Sequence, residues 1–136
     1  MSNKPLNKIL YVEDEPDIQT VAIMALETIG GFTVNACSSG QEAVEAAPAF
    51  APDLVILDVM MPGMDGPATM EALRKLPVTA DVPIIFMTAK VQAHEVERYR
   101  AMGAVEVIAK PFDPISLAEE VRATWERQDT KPGDAA

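Results

Sequence analysis

The stretch Asp53-Leu54-Val55-Ile56-Leu57-Asp58-Val59-Met60-Met61-Pro62-Gly63-Met64-Asp65-Gly66 decides the fold. Leu54 to Leu57 is an unbroken apolar run of the length expected for a strand covered on both faces. Asp58 closes the run, and Pro62-Gly63 followed by Asp65-Gly66-Pro67 supplies turn and helix-start signals. A buried strand that leads directly through a turn into a helix is half of a strand-helix-strand unit, so the same pattern should recur on either side.

It recurs over most of the chain. Strands are expected at Ile9 to Val12, Phe32 to Cys37, Leu54 to Leu57, Pro83 to Met87 and Val105 to Ala109. Between the first two, Ile18, Val21, Ala22, Ala25 and Ile29 keep the spacing of a helix face, with Pro16 suited to its first turn and Gly30-Gly31 to its end. Ser39 and Glu42 have capping-box spacing ahead of Ala43, Val44 and Ala47. The third helix opens at Asp65 and includes Met70 and Leu73, and a fourth is expected from about Val91 to Met102. Asp113-Pro114 starts the last, with Leu117, Ala118, Val121 and Trp125 on its buried face. The fold class is therefore α/β, a doubly wound parallel five-stranded sheet, and the expected division is an N-terminal extension at 1–7, a domain at 8–127 and a polar tail at 128–136. No repeat, low-complexity tract or linker is present, and Met1 together with the polar tail favours the expectation of a complete small protein over a fragment of a longer one.

At 136 residues the chain is long enough to bury a conventional core without disulfides, and its single Cys37 cannot form an internal bridge. The opening residues contain no apolar segment of signal-peptide length, and no stretch approaches a membrane span. A cytoplasmic, soluble protein with no membrane partner is expected. Eleven basic against 21 acidic residues give a net charge of −10, which repels phosphate backbones and argues against direct nucleic-acid binding.

In an open parallel sheet the ligand site lies beyond the carboxyl ends of the strands. Strand one ends in Glu13-Asp14, strand three in Asp58, strand four in Thr88 and strand five in Lys110. Any one of these has an ordinary explanation as a solvated strand end or a turn. Together they bring three carboxylates, a hydroxyl and an ammonium to one edge. Ionised carboxylates that share a pocket repel, so one takes up a proton or a cation joins them. Magnesium suits an oxygen site that combines one or two carboxylates with a phosphate, and manganese is an acceptable substitute; the contiguous oxygen-rich loop of a calcium hand is missing. Beside such an ion, Asp58 can attack a phosphoryl group and become an acyl phosphate, with Lys110 supplying a second positive charge and Thr88 a hydroxyl donor.

With Ile9-Leu10-Tyr11-Val12-Glu13-Asp14-Glu15, the Asp53 to Gly66 stretch, Pro83-Ile84-Ile85-Phe86-Met87-Thr88-Ala89 and Lys110-Pro111-Phe112 in order, residues 8 to about 125 closely resemble the response-regulator receiver family. The resemblance implies a flavodoxin-like, CheY-like (βα)5 fold with strand order 2-1-3-4-5. It implies that Asp58 is the phosphoacceptor, that Glu13 and Asp14 serve the metal with the Met60 carbonyl, that Thr88 and Lys110 contact the phosphoryl group, and that Lys110-Pro111 is cis. It further implies a sensor histidine kinase or histidine phosphotransfer protein as donor, a separate protein target reached through the fourth helix, fifth strand and last helix, a homodimer as one option, and no turnover of an external substrate. Glu13 replaces the Asp common in the family. Val107 stands where receivers usually carry an aromatic that turns inward on phosphorylation, so switching must rest on other contacts. Two charge-assisted bonds to the phosphoryl group contribute roughly 1.5 to 3 kcal/mol each, against the ~5.5 kcal/mol that a near-complete population shift requires.

Two alternatives remain in view. A haloacid-dehalogenase-type phosphatase would need a second Asp two residues after the nucleophile, where this chain has Met60. A receiver-fold interaction module independent of phosphorylation is the reading that Val107 keeps open. Nucleotide binding fails because Glu13-Asp14-Glu15-Pro16 replaces the glycine-rich turn after strand one. His94 reads as a solvated helix residue, Tyr99 as a buried structural one, Cys37 as a small apolar strand residue, and the methionines at 60, 61 and 64 as adaptable packing.

Overall fold

In this computed structural model, which describes residues 4–129, strands and helices alternate along the chain. The strands are β1 (Lys8–Val12), β2 (Thr33–Cys37), β3 (Leu54–Asp58), β4 (Ile84–Thr88) and β5 (Glu106–Ala109). The helices are α1 (Pro16–Met24), α2 (Gly40–Phe50), α3 (Gly66–Arg74), α4 (Ala93–Met102) and α5 (Pro114–Asp129). All pairings are parallel and the sheet runs β2-β1-β3-β4-β5, the expected 2-1-3-4-5 order. Strand ends lie within a residue of their expected places. The one-residue differences at β3 and β4 matter, because they make Asp58 and Thr88 the last residues held in the ladder, opposite Met87 and Ala109.

Because successive strand side chains point to opposite faces, one apolar strand feeds two cores. Leu54 and Ile56 of β3 join Ile9, Tyr11, Ile85 and Met87 under Ala22, Leu26, Leu117 and Val121, on the α1/α5 side. Val55 and Leu57 join Leu10, Phe86, Ala43, Leu73 and Tyr99, on the α2/α3/α4 side. The doubly wound architecture thus follows from the near-continuous apolar character of β1, β3 and β4, whose residues are almost all fully buried.

Helix starts follow the capping chemistry. Ser39 Oγ accepts from the Glu42 N–H at 3.1 Å, Glu42 Oε1 accepts from the Ser38 N–H at 2.8 Å, and Asp65 Oδ1 accepts from the Ala68 N–H at 2.9 Å. The fourth helix starts at Ala93, two residues later than expected, because Glu95 folds back to accept from the Gln92 N–H and fixes the first turn there. The first helix departs from a single α-helical face. Residues Ala25–Ile29 form a π-type turn, closed by the Gly30 N–H to Ala25 carbonyl bond; Leu26 in it is buried, while Val21 and Ile29, expected on the buried face, are exposed. On α5, Thr124 is buried and Trp125 only half-buried, its indole N–H donating to the Lys4 carbonyl at 3.0 Å. Gln128 and Asp129, expected in the tail, continue α5; the rest of the expected tail and residues 1–3 lie outside the described residues.

Gly66 opens α3 where the chain leaves β3. A Cβ there would stand 2.8 Å from the Val59 Cα and 2.9 Å from the Asp58 carbonyl oxygen, both backbone atoms that cannot rotate away. Gly66→Ala is therefore expected to lower unfolding free energy by about 1–3 kcal/mol, read as a reduced urea midpoint at unchanged slope.

Candidate functional site

The strand ends bring Glu13, Asp58 and Lys110 into direct contact. Glu13 is the first residue after β1 and Asp58 the last of β3; both continue the α1/α5-facing rows of their strands, and both are buried. Lys110 follows β5, and its ammonium donates to Glu13 Oε1 and to Asp58 Oδ1, each at 3.1 Å, with only 15% of its side chain exposed. The peptide bond from Lys110 to Pro111 is cis, as expected. Glu13 is held further by the Glu15 N–H, which donates to Oε2 at 3.1 Å. Asp14 is half-buried, and one carboxylate oxygen each from Glu13, Asp14 and Asp58 lie within 4.8 Å of one another.

One lysine does not balance this charge. At an effective dielectric of about 20, each lysine contact near 3 Å gains roughly 5 kcal/mol, while each pair of carboxylates within 5 Å loses roughly 3 kcal/mol or more. The two direct attractions are largely offset by the three repulsions, so little is left to oppose the cost of removing these ions from water. Burial accordingly pushes the Glu13 carboxyl above its ordinary value despite the Glu15 N–H and Lys110. Burial likewise raises Asp58 despite Lys110, and Asp14 raises it further. Burial alone would lower Lys110, but its bonds to Glu13 and Asp58 outweigh that and hold it above the usual lysine range. Three carboxylates with excess negative charge form an all-oxygen set that suits a hard divalent cation, so the residues present fit magnesium.

Thr88 ends β4 on the opposite row, with Phe86, and is buried; its Oγ1 accepts from the Lys90 N–H at 3.0 Å, which leaves the hydroxyl proton to be donated elsewhere. Val107 pairs in register with Phe86 and is half-buried on the α4 side. Tyr99 is buried in a T-shaped pair with Phe86, ring centroids 5.4 Å apart, the structural role expected of it. Met60 is 64% exposed beside the site, whereas Met61 is buried. His94 is exposed, and Cys37 is buried with its thiol pushed up to about 11 by burial and by Glu42.

Two contributors were not foreseen. Gln19 Nε2 donates to the carbonyls of Glu13 at 3.0 Å and Cys37 at 3.1 Å, tying the ends of β1 and β2 together from α1. Nothing in the helix periodicity marks it. Tyr11 is fully buried two residues before Glu13, on the same row of β1, and its hydroxyl has no hydrogen-bond partner. The i, i+2 relation to Glu13 was the available signal.

The chain matches the response regulator receiver domain family over residues 9–122. It is 34% identical over 127 residues to the DNA-binding response regulator MtrA of Mycolicibacterium smegmatis, covering 93% of this chain and 54% of that protein. To MtrA of Mycobacterium leprae it is 35% identical, with 93% and 55% covered. The chain thus spans about half the length of these curated relatives. Among solved structures it superimposes on the chemotaxis protein CheY4 of Vibrio cholerae with a TM-score of 0.81 at 28% identity, covering 88% of this chain and 98% of that one. A response regulator from Desulfuromonas acetoxidans gives 0.79 at 30% identity, with 89% and 98% covered. No helix of the described residues is long and apolar enough to cross a membrane.

Raised carboxyls mean that the folded protein holds protons the unfolded chain would release. Their contribution to stability is therefore greatest at or below the ordinary carboxylate range, and it falls as pH rises through the window up to the raised values. Without divalent cation at neutral pH, Asp58→Asn should melt above wild type, by roughly 3–5 °C for each kcal/mol of relieved repulsion. The difference should shrink toward pH 4 in scanning calorimetry, and identical melting temperatures at pH 7 would contradict the charge imbalance.

Proposed function

The chain belongs to the response regulator receiver family, and from that premise we propose that Asp58 is its phosphoacceptor, served by Glu13, Asp14, Thr88 and Lys110. The observation that carries this reading is the buried Asp58 carboxylate sharing one lysine with Glu13 at the carboxyl edge of the sheet. An Asp58 oxygen attacks the phosphorus of the donor; the new P–O bond forms as the bond to the leaving group, a donor histidine nitrogen, breaks. Lys110 pairs with a phosphoryl oxygen, and Thr88 donates its hydroxyl to another. A magnesium ion held by Glu13, Asp14, Asp58 and the Met60 carbonyl would offset negative charge on the transferring group, and manganese would serve similarly.

Receiver domains exchange phosphoryl groups with histidine kinases and act on downstream targets, and they are generally not turnover enzymes. For this chain the donor is a sensor histidine kinase or a histidine phosphotransfer protein, and the output is a protein-interaction surface formed by α4, β5 and α5. The MtrA relatives are DNA-binding; with a net charge of −10 these 136 residues are assigned no nucleic-acid contact of their own. With Val107 in place of an aromatic, the switch runs through Thr88 and the β4–α4 connection, where the Lys90 N–H already grips the Thr88 oxygen.

Incubation with acetyl phosphate and magnesium should add one phosphoryl group by intact mass, and Asp58→Asn should add none. No gain in either protein would favour a phosphorylation-independent interaction module. The exposed, apolar Met60 cannot orient water toward the acyl phosphate, so Met60→Asn should speed dephosphorylation several-fold; equal decay rates would remove that role.

A further inference from the structure

The bend Glu13-Asp14-Glu15 carries two of the three clustered carboxylates, and one residue of α1 holds it at both ends. Gln19 Nε2 donates to the Glu13 carbonyl at 3.0 Å, and the Gln19 main-chain N–H donates to the Glu15 carbonyl at 2.9 Å. Asp14 is the residue between them. The same Nε2 reaches the Cys37 carbonyl at 3.1 Å, which also accepts from the Glu13 N–H at 3.0 Å. Both backbone polar groups of Glu13 are thus engaged, and the bend is anchored to the end of β2, an edge strand of the sheet. A half-buried glutamine can satisfy its amide with water; here both N–H bonds go to backbone carbonyls instead.

What the bend has to be held against is charge. Glu13, Asp14 and Asp58 place one carboxylate oxygen each within 4.8 Å of one another, and Lys110 offsets part of that charge through its bonds to Glu13 and Asp58. Glu13 and Asp58 are buried at the ends of their strands, whereas Asp14 is half-buried on the connecting bend. Repulsion is therefore relieved most easily by Asp14 moving outward into water. A cation that had to draw it back would bind more weakly than one meeting ligands already in place. We propose that Gln19 is a positioning residue for the metal: its amide keeps the bend closed, so that Asp14 stays beside Asp58 before any cation binds. Gln19 touches neither cation nor phosphoryl group and acts only through the backbone of the bend. This proposal rests on the reading of the three carboxylates as a magnesium site.

Manganese serves as the probe, because its free ion is counted directly by paramagnetic resonance. Gln19→Met keeps the length and helix propensity of the side chain but removes both donors, and its Mn2+ affinity should fall roughly tenfold, as for other residues that orient a metal ligand. Gln19→Asn keeps the amide on an arm one methylene shorter, cannot span both carbonyls, and should lose affinity as well. Trp125→Phe is the comparison: it gives up a side-chain bond to the Lys4 carbonyl, ahead of β1 at the other end of that strand, and should bind Mn2+ like wild type. Binding is read at a temperature where circular dichroism shows every protein folded. Unchanged affinity in both Gln19 variants, or an equal loss in Trp125→Phe, would overturn the positioning role. No saturable Mn2+ binding by wild type would instead remove the metal site, and this proposal with it.

Discussion

Everything at the functional edge depends on one ammonium serving two buried carboxylates. Lys110 reaches Glu13 and Asp58 at the same 3.1 Å, and Asp14 adds a third negative group within reach. Lysine is a compact point charge on a flexible stem, so it can be shared and then redirected, which a rigid guanidinium fork would resist. The unmodified site is therefore deficient in positive charge, and the two chemical events proposed for it, cation binding and acyl phosphate formation on Asp58, act on that deficiency directly. Neutralisation and switching become the same electrostatic problem.

The sheet supplies the rigidity that such an arrangement needs. Glu13 and Asp58 extend the apolar rows of β1 and β3, so the packing that buries Tyr11, Leu54 and Ile56 also fixes where the carboxylates emerge. Gly66 lets α3 begin against the backbone of Asp58 and Val59, and Gln19 pins the ends of β1 and β2. Thr88 is buried on the other row of its strand, the row that carries Phe86 into the other core beside Tyr99. A phosphoryl group bonded to both Lys110 and Thr88 would therefore couple the two layers across the sheet. Tyr99 is held by Phe86 and Val107 is small, which is why the switch proposed for this chain is placed in the backbone after β4 and not in a swinging ring.

Much of this was legible beforehand for a physical reason. Strands buried on both faces need continuous apolar runs, and helices against them need a 3.6-residue stripe, so the order of elements is written locally. Polar residues that end apolar runs stand out for the same reason, and Glu13, Asp14, Asp58, Thr88 and Lys110 were all visible as such. Where reading failed, packing in one case and a local cap in the other had overridden the periodic signal. In the first helix, a π-type turn places Leu26 in the core shared with α5, in place of the regular face that ends at Ile29. Glu95 delays α4 by two residues through a bond that no periodicity reveals.

From sequence alone came the strand-helix alternation, the sheet order implied by family resemblance, and the residue types at each strand end, because these depend on burial and on residue chemistry within a few positions. Tertiary structure alone decided how the charges are partnered. That Lys110 divides itself between residues 97 and 52 positions away is a consequence of register and packing, to which local sequence is blind.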